Sequence, residues 1–110
     1  MDVSIKQLKR VDVVKVTGRV DSNSAPDLER ALKSLLGSDR HQIVLDLEDT
    51  DYLSSAGVRV LIATIKAARH ANGDVHLAHP SERVLEVLRL AGLEGIFPMY
   101  PDVLEAVGSF

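Results

Sequence analysis

The chain has 110 residues, 45% of them hydrophobic and 26% charged, with a net charge of -3, and such a length and composition suit a single domain over residues 1–110 built round one apolar core. An acidic balance lacks the basic excess that phosphate-backbone binding demands, so nucleic acid is not an expected partner. The absence of cysteine removes disulfides, thiol nucleophiles and thiolate metal sites, and no apolar run approaches the roughly 18 to 20 residues of a membrane span.

The N-terminal run Met1-Asp2-Val3-Ser4-Ile5-Lys6 is acidic and alternating, without the basic-then-apolar order of a signal peptide. The cytoplasm is the expected compartment, with no membrane partner. Residues 3 to 8 and 11 to 17 read as two strands joined tightly at Lys9-Arg10, which predicts an antiparallel hairpin with Val3 and Ile5 on one face of the first. Val11 and Val13 are out of phase with Val14 and Val16. The second strand is therefore either covered on both sides or carries a bulge.

Gly18-Arg19-Val20-Asp21-Ser22-Asn23 follows as a polar segment. Ser24-Ala25-Pro26-Asp27 then offers a cap, a first-turn proline and an acid three residues on, the pattern of a helix start. Leu28, Ala31, Leu32 and Leu35 give that helix a buried stripe, and Gly37 supplies a left-handed stop.

Ile43-Val44-Leu45-Asp46-Leu47 is a short β-branched run of the kind found in strands buried on both faces, and is expected to be central. From there the chain passes through Glu48-Asp49-Thr50-Asp51-Tyr52-Leu53 and a serine pair into Ala56-Gly57-Val58-Arg59. Val58, Leu61, Ile62, Ile65 and Ala68 form one apolar stripe at helical period, which Asn72-Gly73 terminates. Either Ser54 or Ser55 occupies the N-cap, where a hydroxyl accepts from an unpaired backbone N–H. A phosphate added here would meet free donors and the positive end of the helix dipole, although two serines before a helix are also simply a cap.

Val75-His76-Leu77-Ala78 reads as a strand, and the strand–helix–strand unit forces a parallel right-handed crossover with residues 43–47. Pro80-Ser81-Glu82 opens a third helix carrying Val84, Val87, Leu88 and Ala91 and closed by Gly92. Ile96-Phe97 is expected as a short edge strand. A brief last helix spans 101–107, with Leu104 and Val107 as its apolar contacts. The sum is an α/β domain, a mixed sheet of four to five strands with about four helices on it.

Catalytic and metal chemistry find little support. Asp46, Glu48, Asp49 and Asp51 crowd one loop but lack the alternating pattern and central glycine of a calcium loop, so no metal is expected. The four histidines have no spacing that pairs one with a serine, and there is no Gly-x-Ser-x-Gly elbow or phosphate-binding Gly-rich loop. No cofactor is expected and the chain is not read as an enzyme.

Leu-Ser-Ser-Ala-Gly-Val-Arg-Val-Leu, preceded by Ile-Val-Leu-Asp-Leu and far upstream by Gly18-Arg19-Val20-Asp21, resembles the STAS domain of bacterial anti-sigma factor antagonists over essentially the whole chain. The resemblance implies that the unphosphorylated protein binds a kinase-type anti-sigma factor and so releases a sigma factor. It further implies a phosphoacceptor at the start of the helix, which by alignment on Gly57 is Ser55, with Ser54 as the second candidate. Ser54 stands where many members carry aspartate, and Ala56 follows the acceptor. The partners implied are an anti-sigma factor serine kinase and a serine phosphatase. The implied contact residues are Asp21, Ser22, Asn23, Ser54, Ser55, Gly57, Val58 and Arg59, whereas by local chemistry Gly18 to Ser24 serve equally well as a turn and a cap. A STAS scaffold or transport subunit that works without phosphorylation is the alternative.

Overall fold

A computed structural model describes residues 1–110. Alternation and apolar runs become six strands: β1 (Asp2–Gln7), β2 (Asp12–Val20), β3 (Gln42–Asp46), β4 (Thr50–Leu53), β5 (Asp74–Ala78) and β6 (Met99–Tyr100). The helical stripes become α1 (Ala25–Gly37), α2 (Ser55–His70), α3 (Glu82–Leu90) and α4 (Val103–Gly108). The sheet runs β1-β2-β3-β5-β6, with β4 also paired to β2. Only the β1–β2 hairpin is antiparallel. Ile43 pairs with Val75 and Leu45 with Leu77 in the crossover expected of a strand–helix–strand unit.

Most apolar burial lies on one face. Val14 and Val16 of β2, Ile43 and Leu45 of β3 and Val75 and Leu77 of β5 meet Leu28 and Leu32 of α1, Leu61 and Ile65 of α2 and Val84 and Leu88 of α3. Each fully buried side chain of this size stabilises the fold by about 1.5–3 kcal/mol. The opposite face holds a smaller cluster of Val11, Val13, Val44, Ala78 and Ala106 beneath α4. This explains the out-of-phase valines of β2: the strand is covered on both sides. It also has a register slip between Gly18 and Arg19, where Gly18 pairs with Thr50 and Arg19 with Tyr52, so Asp51 is the extra residue.

Several local expectations are corrected. Gly18-Arg19-Val20 is the end of β2 rather than part of a loop, and Thr50–Leu53, expected as acidic loop, is a strand. The left-handed residue after α1 is Asp39, φ 62°, and Gly37 is still helical. The last edge strand is Met99–Tyr100, because Phe97 turns into the core. Leu104 is 82% exposed and Ala106 takes the buried position of α4.

Two contacts fasten the end of the sheet remote from the serines. The fully buried Asp12 receives Arg40 Nε at 2.9 Å and Nη2 at 2.7 Å, and Arg40 also donates to the Leu8 carbonyl at 2.7 Å. The Asp12 carboxylate raises the Arg40 pKa, first through these hydrogen bonds. After α2, Gly73 lies so close to the β3 approach that an added Cβ would sit 2.0 Å from the His41 carbonyl oxygen. That neighbour is backbone and cannot give way. Gly73→Ala is therefore expected to destabilise by about 1–3 kcal/mol. Gly37→Ala, whose Cβ meets nothing within 4 Å, should be neutral or stabilise by up to about 1 kcal/mol. Chemical denaturation of the pair checks this, and equal midpoints would contradict it.

Candidate functional site

The serine pair lies at the carboxyl end of the sheet, where β2 and β4 finish side by side. Val20 pairs with Leu53, and the ladder runs one step further because the Ser54 N–H donates to the Val20 carbonyl at 2.8 Å. Strand pairing thus brings the Asp21–Ser24 turn and the start of α2 to one edge. The sequence places the strand before the serines at residues 43–47. The structure inserts β4 between them, and it is β4 that makes the juxtaposition.

The two serines divide the local duties. Ser54 has extended backbone, φ -83° and ψ 172°, and its Oγ accepts from the Gly57 N–H at 3.2 Å. It is the N-cap, which settles an alternative the sequence left open. Ser55 is the first helical residue and is exposed. Gly57 is buried, and a Cβ there would lie 2.6 Å from Leu53 Cδ1 and 2.8 Å from Val20 Cγ1. Its missing side chain is what lets the first turn of α2 settle on the ends of β2 and β4. Val58 is buried in the large cluster.

Of the eight expected contact residues, Ser22, Asn23, Ser55 and Arg59 are exposed, while Asp21 and Ser54 are half-buried. Gly57 and Val58 face inward and support the surface without presenting side chains to it. Arg59 is four residues beyond Ser55, on the same flank of the helix. Sequence reasoning missed Arg19, whose guanidinium lies 4.1 Å from the Tyr52 ring centroid with Nε 3.9 Å from Asp21 Oδ2. The missing signal was that Arg19 and Tyr52 are cross-strand partners, visible only once β4 is seen as a strand.

The turn holds itself in shape. Asp21 Oδ1 accepts from the N–H groups of Asn23 at 3.0 Å and Ser24 at 3.1 Å. Ser24 Oγ accepts from the Asp21 N–H at 2.9 Å and donates to the Arg19 carbonyl at 2.9 Å. Ser24 precedes α1, yet its side chain makes no cap bond to the helix. These bonds close the turn on the end of β2 and fix which way Ser22 and Asn23 project.

Two of the four acids of the Asp46–Asp51 segment are engaged at the end of β4 away from the serines. Asp49 pairs with Lys15 at 3.1 Å and raises its pKa, and Asp46 accepts from the Glu48 N–H at 3.2 Å. Both lie before β4, whose four residues span roughly 10–13 Å. Nor does a histidine serve Ser55: His41 bonds Asp39, His76 bonds Ser109 and Asp74, His79 lies 3.8 Å from Glu48, and His70 closes the far end of α2. The edge offers an exposed hydroxyl and a rigid turn, an arrangement for docking.

Residues 2–106 match the STAS domain family model. The chain belongs to the STAS domain family. It is 31% identical over 110 residues to BtrV of Bordetella bronchiseptica, assigned as an anti-sigma factor antagonist, covering 100% of this chain and 95% of that one. The crystal structure of an anti-sigma factor antagonist from Mycobacterium paratuberculosis is similar at a TM-score of 0.88 and 27% identity, over 98% of this chain and 92% of the other. The fold is shared with the Bacillus antagonist SpoIIAA. Its unphosphorylated form gives a TM-score of 0.86 at 17% identity, covering 98% of this chain and 95% of that one. Its phosphorylated form gives 0.79 at 16%, covering 98% of both. The relatives named here are regulatory binding proteins, and no helix in this STAS domain is long and apolar enough to cross a membrane.

The Asp21 turn carries a pH signature. The N–H groups of Ser24 and then Asn23 stabilise the carboxylate and lower its pKa from the ordinary 3.8. Its stabilising contribution is present above that value and disappears as pH falls through the lowered one. Backbone amide shifts of Asn23 and Ser24 should therefore titrate with a midpoint below 3.8, and Asp21→Asn should abolish the step. A midpoint at or above the ordinary value would contradict the hydrogen-bonding account.

Proposed function

We propose that this STAS domain is an anti-sigma factor antagonist working by reversible phosphorylation of Ser55. Unphosphorylated, it docks the Asp21–Asn23 turn and the start of α2 on a kinase-type anti-sigma factor in the cytoplasm, so that a sigma factor is released. The same kinase ends the binding by phosphorylating Ser55, and a serine phosphatase restores it. The chain itself catalyses no reaction. The observation that carries this reading is the division between the serines: Ser54 is committed to the cap, whereas Ser55 is exposed one residue into the helix.

The physics of the switch is local. A phosphoserine adds about 1.5 to 2 negative charges. A partner acid roughly 6 Å away would feel on the order of 3 kcal/mol of repulsion per unit charge at an effective dielectric near 20. Solvent ions at an exposed edge reduce this. Even half of it changes affinity about tenfold, since about 1.4 kcal/mol is a decade. No rearrangement of the core is required, because the residues that seat the first turn are Ser54, Gly57 and Val58.

Intact mass after incubation with the anti-sigma factor kinase and ATP tests the acceptor. Wild type and Ser54→Ala should each gain one phosphate and Ser55→Ala none, while Ser54→Ala loses about 1 kcal/mol of stability with its cap. In binding assays Ser55→Ala should hold the kinase constitutively and Ser55→Asp should bind at least about tenfold more weakly. Phosphate on Ser55→Ala but not on Ser54→Ala would move the site to Ser54. No phosphate on any of them would favour a STAS scaffold that works unmodified.

A further inference from the structure

The strand β1 is an edge. It pairs only with β2, and of its six residues Val3 alone is half-buried while the other five are exposed. Ile5 is 42% exposed. Val3 and Ile5 stand opposite Val16 and Val14, so they lie on the face of the main core, and Val3 packs against it. Asp2, Ser4 and Lys6 occupy the other face. An edge of this length, with one row of backbone N–H and C=O groups unpaired, is a template for another strand.

The order of residues specifies which strand. In Asp2-Val3-Ser4-Ile5-Lys6, a two-fold axis through Ser4 sets Asp2 opposite Lys6 of a second copy, Val3 opposite Ile5, and Ser4 opposite Ser4. Each copy contributes the same pairs, giving two ion pairs on one face and two apolar pairs on the other. Antiparallel residues alternate between hydrogen-bonded and non-hydrogen-bonded pairs. A two-fold can pass through either kind, so this register holds whichever β1 residues turn their N–H groups outward. Parallel pairing in register would instead set Asp2 against Asp2 and Lys6 against Lys6, which is unfavourable. A lone lysine on an edge commonly discourages pairing, but here the opposite charge stands where the symmetry needs it.

We propose that β1 is a self-association edge, joining two copies through an antiparallel β1–β1 ladder centred on Ser4 into one twelve-stranded sheet. The Val3–Ile5 pairs extend the main apolar layer across the two-fold and cover Ile5. Because β1 is antiparallel to β2, the two β2 strands run in opposite directions. The two Ser55 edges therefore point to opposite ends of the dimer, and both stay open. A six-residue ladder buries less than the roughly 1,200–2,000 Å² of a standard interface, so the dimer is weak and forms reversibly.

Sedimentation equilibrium of the full chain from about 10 µM to about 1 mM should show a monomer–dimer equilibrium, loosened by salt. Lys6→Asp, which sets like charges opposite twice, should weaken it roughly tenfold. The exchange Asp2→Lys with Lys6→Asp should restore it, far-UV circular dichroism confirming that each variant is folded. With no native cysteine, Ser4→Cys should oxidise readily to a covalent dimer, and Gln7→Cys should do so poorly because its opposite residue is Met1. A monomer at every concentration would overturn the proposal. So would a dimer indifferent to Lys6→Asp, a charge exchange that fails to restore it, or equal cross-linking at positions 4 and 7.

Discussion

The parallel ladder between Gly18–Val20 and Thr50–Leu53 is the constraint on which the serine edge depends. β2 is nine residues long, and it uses its first half against β3 and its last three residues against β4. The slip at Gly18, φ 94°, lets one strand serve two partners in succession. The start of β4 is pinned separately: Thr50 Oγ1 donates to the Val16 carbonyl at 2.7 Å, the Gly18 N–H donates to the Asp49 carbonyl at 2.9 Å, and Ser81 Oγ donates to the Thr50 carbonyl at 3.2 Å. With both ends of β4 tied, Ser54 and the Asp21 turn cannot drift apart without breaking backbone hydrogen bonds. An edge made from two chain segments thereby behaves as one rigid piece.

Rigidity is distributed unevenly between the two ends of the sheet. At the end away from the serines, the Asp12–Arg40 pair is buried on its acid side, and Gly73 packs against the His41 carbonyl. Removing Arg40 would leave the Asp12 carboxylate buried without its partner. At the serine end the exposed side chains include Ser22, Asn23, Ser55 and Arg59. Their positions come from backbone bonds and from the Asp21 carboxylate, so the surface groups themselves carry little of the fold's stability. Such an edge tolerates a change of charge that the opposite end would not.

Residue patterns made most of this architecture legible. The period of the apolar stripes placed α1, α2 and α3, and the β-branched runs placed β2, β3 and β5, because burial on one helix face or both strand faces demands those residues in those intervals. The cap within the serine pair followed from hydroxyl chemistry, whereas the Ser24 side chain, also read as a cap, makes no such bond. What failed had local physical causes. Thr50-Asp51-Tyr52-Leu53 is four residues with one bulged acid, too short and too polar to show period two, and its strand character comes from pairing with β2. Arg19 was missed with it. Leu104 read as core because α4 is too short for period to show which face is buried, and the structure buries Ala106 in its place. Gly37 read as a stop because glycine usually supplies positive φ, but Asp39 and Asn72 adopt it here, at φ 62° and 67°.

The local division of labour around α2 leaves the Ser55 hydroxyl free. Ser54 closes the β2–β4 ladder with its N–H and caps the helix with its Oγ. Gly57 clears space over Val20 and Leu53, and Val58 begins the buried stripe that Leu61, Ile65 and Ala68 continue. Ala56 also packs partly against the core. Between Ser54 and Val58, Ser55 alone is exposed. A hydroxyl there sits beside the free N–H groups of the first turn and the positive end of the helix, so a dianion gains favourable local contacts while displacing nothing buried. Ser55 thus falls where the helix geometry asks nothing structural of its side chain. Every structural task at that junction falls to the neighbours of Ser55, so a charge added to its hydroxyl would leave the buried contacts of the first turn unchanged.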